Sequence, residues 1–188
     1  MMARLVFAWI LAAATGAWAA DAPFGVLDIT LGTSYARLER DLDFRDLEAT
    51  LARMQSGKPD LGRRGYGCMQ RDDDIADTAC VSHAERLDGI ETREIRLHFL
   101  ERRLQQFSLT AEVRHYDAVV GYLRARFGAP QTMPVQDAGE QPSVKWQGEG
   151  AQIVAHRGKD LVFVNFELAD YPAAVKRKRD GGQRLQCD

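Results

Sequence analysis

The chain has 188 residues, with 25 basic and 27 acidic side chains and a formal charge of −2 at neutral pH. That balance supplies no strongly basic face for nucleic acid, and apolar residues spread through the chain exclude a disordered polyelectrolyte. The length suits one domain or two small modules, enough to bury a core without relying on disulfides.

The opening MMARLVFAWILAAATGAWAA carries one positive charge, Arg4, ahead of an apolar run from Leu5 to Ala14. Small residues follow, and Ala17 and Ala19 stand at the −3 and −1 positions of an A-x-A cleavage site. This pattern predicts a secretory signal peptide over residues 1–19, cut after Ala19, too short and wrongly flanked for a membrane anchor. No later stretch approaches the roughly 20 apolar residues of a spanning helix. A lipid anchor would need a cysteine where Ala20 and Asp21 stand. The expected mature protein is soluble and periplasmic, with a formal charge of −3.

GVLDITLGTSYARLERDL reads as an extended segment followed by a helix that Thr33 or Ser34 can cap. Tyr35, Leu38 and Leu42 fall on one face of that helix. FRDLEATLARM repeats the rhythm through Phe44, Leu47, Leu51 and Met54 and predicts a second helix. SGKPDLGRRGYG, with four glycines and a proline, is a loop. From Thr92 the period changes to two. Ile95, Leu97 and Phe99 alternate with Arg96 and His98, a half-buried strand that turns at ERR into the partner LQQFSLTA.

YDAVVGYLRARFGAP is the strongest helix, with Tyr116, Val119, Val120, Leu123 and Phe127 in a stripe that Gly128 and Pro130 end. QTMPVQDAGEQP is a polar connection to three strands, Val144–Gln147, Ala151–His156 and Leu161–Leu168, joined through GEG and RGKD. Val162, Val164, Phe166 and Leu168 share one side of the last strand, with Leu161 and Phe163 on the other, which predicts a central or helix-covered strand. DYPAAVKRKRD closes as a short helix, Asp170 its cap and Pro172 in its first turn.

The order of elements predicts an α+β fold, an antiparallel sheet with helices on one face. A capped helix followed by strands occurs twice, so the single domain over residues 20–180 divides into two related halves, 25–112 and 113–175. Residues 181–188 form a flexible tail. ITLGTSYARLERDL resembles the opening of SmpA/OmlA (BamE-like) and beta-lactamase-inhibitor-like modules, where a strand end, a glycine and a Thr/Ser cap precede a short helix. YDAVVGYLRARFGAP before a tryptophan strand is similar to their helix-to-sheet passage. The resemblance spans residues 25–175 and implies an exported protein that binds other proteins. The lipid anchor of the BamE-like members has no counterpart here.

Chemistry-bearing residues concentrate in CMQRDDDIADTAC, residues 68–80. In an oxidising compartment Cys68 and Cys80 are expected to pair and staple the loop. The spacing lacks the C-x-x-C of redox catalysis. An EF-hand count from Asp72 meets Ala76 at position 5, Asp77 at position 6 and His83 at position 12, which fails the ligand pattern. A solvated acidic loop is the reading taken, with weak calcium binding by Asp72, Asp73, Asp74 and Asp77 as its rival. Zinc on Cys68, Cys80 and His83 would compete with the disulfide. Cys187 is left over, either unpaired or bridging elsewhere.

His83, His98, His115 and His156 are scattered, Ser34 lacks a nucleophile elbow, and no metalloprotease, Walker or dinucleotide motif occurs. The sequence therefore predicts no catalytic residue, cofactor or metal. Its leading reading is a non-enzymatic module that binds another protein. The expected partner surface is the acidic loop (Asp72, Asp73, Asp74) with a sheet face bearing Arg96, His98 and Gln105. Trp146 is placed in the core, with a surface anchor as its alternative. Lys176, Arg177, Lys178 and Arg179 complement the last helix's dipole or touch an anionic surface. The rival functions are a hydrolase built from dispersed residues and a small-ligand or metal carrier.

Overall fold

The computed structural model describes residues 24–48, 65–71, 73–82, 85–133 and 143–185. The expected signal peptide, Asp72, His83 and Cys187 lie outside them. A small hairpin opens the described chain, β1 (Gly25–Val26) with β2 (Ile29–Thr30), and leads to helix α1 (Tyr35–Asp41). Strands β3 (Asp43–Asp46), β4 (Gly65–Gln70), β5 (Thr78–Ser82), β6 (Arg86–Leu87), β7 (Ile90–Leu100) and β8 (Arg103–Glu112) follow. After a 3₁₀ turn at Val113–His115 comes helix α2 (Tyr116–Phe127). The short β9 (Gln131–Thr132) precedes β10 (Val144–Gly148), β11 (Ala151–Arg157), β12 (Leu161–Leu168) and helix α3 (Tyr171–Leu185).

One sheet carries the fold, in the order β3-β4-β5-β7-β8-β12-β11-β10-β9, with β6 paired to β7 off that path. Every pair is antiparallel except β3 with β4. Alternation sets which face is core. Ile95, Leu97 and Phe99 of β7 point inward with Leu104, Phe107, Leu109 and Ala111 of β8, and Val162, Val164 and Phe166 of β12, all essentially inaccessible. Phe107 and Phe166 stack directly, ring centroids 4.2 Å apart. β12 is central, between β8 and β11, as its two-sided apolar pattern predicts. Outward from the β8–β12 contact run β7, β5 and β4 on one side, and β11 and β10 on the other.

α1 and α2 cover the core face, burying Leu38, Val119 and Leu123 in the same cluster. Ser34 sits at the N-cap of α1, but its side chain makes no cap bond; its carbonyl accepts the Arg37 and Leu38 N–H groups. α2 ends at Gly128, whose φ of 82° is a left-handed value glycine adopts without strain. The Trp146 indole N–H donates to the Gly128 carbonyl at 2.8 Å, and Trp146 is 3% exposed. Its anchor alternative falls: the ring is core.

Three expectations are corrected. The predicted helix from Phe44 gives way at its start to β3, because Phe44 pairs in register with Tyr66 and its ring sits against Tyr35, Tyr66 and Phe99. The rest of that segment, from residue 49, lies outside the described residues. The helices do not share one face. Leu100 follows the inward Phe99, so its side chain leaves the sheet on the other side, and Tyr171, Ala174 and Val175 of α3 cover it there. α3 itself continues to Leu185, through the start of the expected tail.

The β7–β8 turn holds Glu101 and Arg102 at φ values of 55° and 60°, left-handed positions without a glycine. Surrounding contacts hold it. Asp77 Oδ2 accepts the Glu101 N–H at 2.7 Å, and the Arg102 carbonyl accepts the Tyr35 N–H at 2.9 Å.

Candidate binding surface

The face opposite α1 and α2 carries most of the sheet's polar side chains, and the register arranges it in rows. His98, Gln106, Glu167 and Gln152 lie side by side across β7, β8, β12 and β11. Arg96, Ser108, Asn165 and Val154 make the next row. Glu94, Thr110, Phe163 and His156 make the third.

The first row is hydrogen-bonded throughout. His98 Nδ1 is 2.9 Å from Gln106 Oε1, so that nitrogen carries the proton and donates. Gln106 Nε2 donates to Glu167 Oε2 at 3.3 Å, Gln152 Nε2 to Oε1 at 3.4 Å, and Asn165 Nδ2 to Oε2 at 3.4 Å. Burial pushes the His98 pKa below the ordinary histidine value, and the cations Arg96 and Arg71 add to the fall. The Gln106 bond and Asp73 oppose it without prevailing. A neutral ring with its proton on Nδ1 leaves Nε2 as an acceptor. Arg96 is exposed and pairs with Glu94 at 2.7 Å. Phe163, in the third row, is 45% exposed.

Gln105 is not on this face. A register shift between His98 and Phe99 pairs His98 with Gln106 and Phe99 with Leu104, leaving Gln105 as the bulged residue. Its side chain is 2% exposed and its Oε1 is buried without a hydrogen-bond donor. The expected role passes to Gln106. Asn165, Glu167, Gln152 and Phe163 were also missed, although alternation along β11 and β12 places them opposite Val164, Phe166 and Ile153.

Cys68 and Cys80 face each other across β4 and β5, with sulfurs 2.09 Å apart and Cα atoms 4.0 Å apart. The loop they flank is folded on itself. Asp73 Oδ1 accepts the Ile75 and Ala76 N–H groups at 3.0 Å each, and its other oxygen pairs with Arg71. Burial opposes ionisation of Asp73, but those amides and the Arg71 guanidinium outweigh it and hold the carboxyl below the usual range. The loop's remaining charges meet α3. Arg179 Nε reaches Asp74 Oδ2 at 2.8 Å, and Lys178 Nζ reaches Asp77 Oδ1 at 3.0 Å. Arg177 pairs with Glu101 at 3.3 Å, while Lys176 is exposed.

Two surfaces read separately in the sequence, the acidic loop and the basic cluster, thus face each other within one molecule. Tyr171 joins the contact by donating its hydroxyl to the Ile75 carbonyl at 3.0 Å. Burial, with Glu167 and Asp73 nearby, pushes its pKa up to about 12, so it remains a donor at any ordinary pH.

Among the described residues no group of three His, Cys, Asp or Glu side chains stands ready to hold a metal ion. The Ser143 hydroxyl lies 2.9 Å from His156 Nδ1, away from the hydrogen-bonded row. A cleft of about 200 Å³ beside the disulfide is lined by Tyr35, Glu39, Phe44 and Met69 among others. Among the described residues no helix is long and apolar enough to cross a membrane.

No family model matches the chain, and no curated protein matches it. A solved structure, the GTP binding regulator TM1622 from Thermotoga maritima, aligns over 60% of this chain and 74% of its own, at 14% identity and a TM-score of 0.36. A likeness at that level carries no argument about fold or activity.

Proposed function

We propose that the chain is a periplasmic, non-enzymatic module that binds another protein through the open rows of its sheet. The observation that carries this reading is Phe163. An aromatic ring 45% exposed at a central strand, between Thr110 and His156, suits an interface anchor ringed by hydrogen-bonding side chains. The Gln106–Glu167–Gln152 ladder would add fixed donors and acceptors for a partner's polar groups. Export is supported by the N-terminal pattern and by the Cys68–Cys80 pair, since such bonds persist in oxidising compartments.

The resemblance to SmpA/OmlA and beta-lactamase-inhibitor-like modules belongs to the same proposal. Mirrored strand order supports two like halves: each helix is followed by strands that run inward to the β8–β12 contact. Site-specific photocrosslinking in the native periplasm tests the binding reading. A photoreactive residue at position 163 is expected to trap one dominant protein, and one at Lys159, in the β11–β12 turn, none. Absence of any adduct at 163 that differs from the control would sink the idea.

A further inference from the structure

α3 is held by two kinds of contact. Its apolar side, Tyr171, Ala174 and Val175, meets Leu100 in a small cluster apart from the main core. Its basic side meets acidic partners: Arg177 on Glu101, Lys178 on Asp77 and the Ala76 carbonyl, Arg179 on Asp74. The Arg177 and Arg179 pairs are more than half exposed on both sides or close to it, at 56% and 58%, and 56% and 50%. Pairs so exposed hold weakly and are screened by salt.

The helix has little stability of its own. Lys176 to Arg179 are four consecutive like charges, and Gly181 and Gly182 follow. The seat, by contrast, has ties that do not involve α3. Loop 73–77 is tied by Asp73 to its own amides, by the Asp77 N–H to the Phe99 carbonyl at 2.7 Å, and by Asp77 Oδ2 to the Glu101 N–H. Beside it Ile75 is 47% exposed, an apolar rim that α3 leaves uncovered.

We propose that the ledge formed by Leu100, Glu101 and loop 73–77 is a docking seat for a basic amphipathic helix of a partner protein, which α3 occupies as an autoinhibitory contact. A partner helix with apolar residues at i, i+3 and i+4 and cations on the flanking side would displace α3. The uncovered Ile75 gives such a helix contact that α3 does not make. This seat adjoins the first row near Glu167 but shares no residue with the row that holds Phe163, and the two readings fail independently.

The full chain tests it, with the fluorescent peptide DYPAAVKRKRDGGQRL as probe. In the variant Arg177→Gln/Lys178→Gln/Arg179→Gln the seat is expected to open. Amides of α3 should lose exchange protection while those of β7 and β8 keep it, and the peptide should bind at least tenfold tighter than to the unaltered chain. Adding Asp74→Asn and Asp77→Asn should abolish that binding. Equal binding to both chains, or none to the neutralised variant, overturns the proposal. If the triple variant loses β7 and β8 protection, Arg179→Gln alone is read the same way. A dimer of the unaltered chain with α3 exchanged between copies would give the seat to a second copy and overturn the partner reading.

Discussion

His98 on β7 and Gln106 on β8 are joined across neighbouring strands, ring Nδ1 to amide Oε1 at 2.9 Å. Burial with nearby arginines lowers the histidine pKa from its ordinary 6.5, so the unfolded chain takes a proton more readily than the folded one. The sign follows from linkage. Stability is full above 6.5 and falls as pH drops below that value, levelling once the folded ring is itself protonated. His98→Gln removes this component. Urea midpoints at about pH 7.5 and about pH 5.5 should differ more for the unaltered chain than for the variant. Equal differences would show that the ring does not report on folding.

Neighbouring aromatics on β12 should behave in opposite ways. Phe166 is fully buried and stacked on Phe107, and Phe166→Ala is expected to cost about 3–5 kcal/mol. Phe163 faces out, and Phe163→Ala should change stability by no more than about 0.5 kcal/mol. Denaturant unfolding of both variants checks the assignment of faces. A large loss at Phe163 would place it in a core contact.

Adjacent glutamines on β8 make a second contrast. Gln105 buries an acceptor without a donor, so Gln105→Met should raise stability by about 1 kcal/mol. Gln106→Met breaks the bonds to His98 and Glu167 and should lower it by about 1 kcal/mol. Opposite shifts in the urea midpoint are the expected result.

The Cys68–Cys80 bond closes a loop with a sequence separation of 12, and losing it should cost about 2–3 kcal/mol. Unfolding of the Cys68→Ser/Cys80→Ser chain against the oxidised protein measures this. Because loop 73–77 keeps its own hydrogen bonds, α3 should stay docked in the variant, which amide exchange at Ala174 and Val175 reads directly.

Strands with strict alternation were legible in the sequence. Ile95, Leu97 and Phe99, then Phe107, Leu109 and Ala111, announce both their strand type and their buried face. The stripe Val119–Val120–Leu123 does the same for a helix. Gln105 was misplaced against the plain alternation, which puts it in phase with the buried Phe107, Leu109 and Ala111; the bulge shows itself at Leu104, which it brings inward as well. Phe44 was misread because spacings of three and four in a short window do not reveal a long-range partner such as Tyr66. The contact between the acidic loop and the basic helix was hidden for another reason. Asp74 and Arg179 stand far apart in the chain, and only the outward turn of Leu100 decides that α3 crosses to that face.

The meeting of β8 with β12 at the sheet's centre sets an order of assembly. β4, β5, β7 and β8 are linked by short connections and can zip together once the chain through Glu112 is free to fold. Until residues 161–168 arrive, one whole edge of β8 carries unpaired amides and carbonyls beside Phe107 and Leu109. A chain that assembles in that order therefore passes through a stage with an adhesive rim, and the closing strand comes late. Truncation before β12 should leave a species that self-associates, with segment 104–111 as its point of attachment.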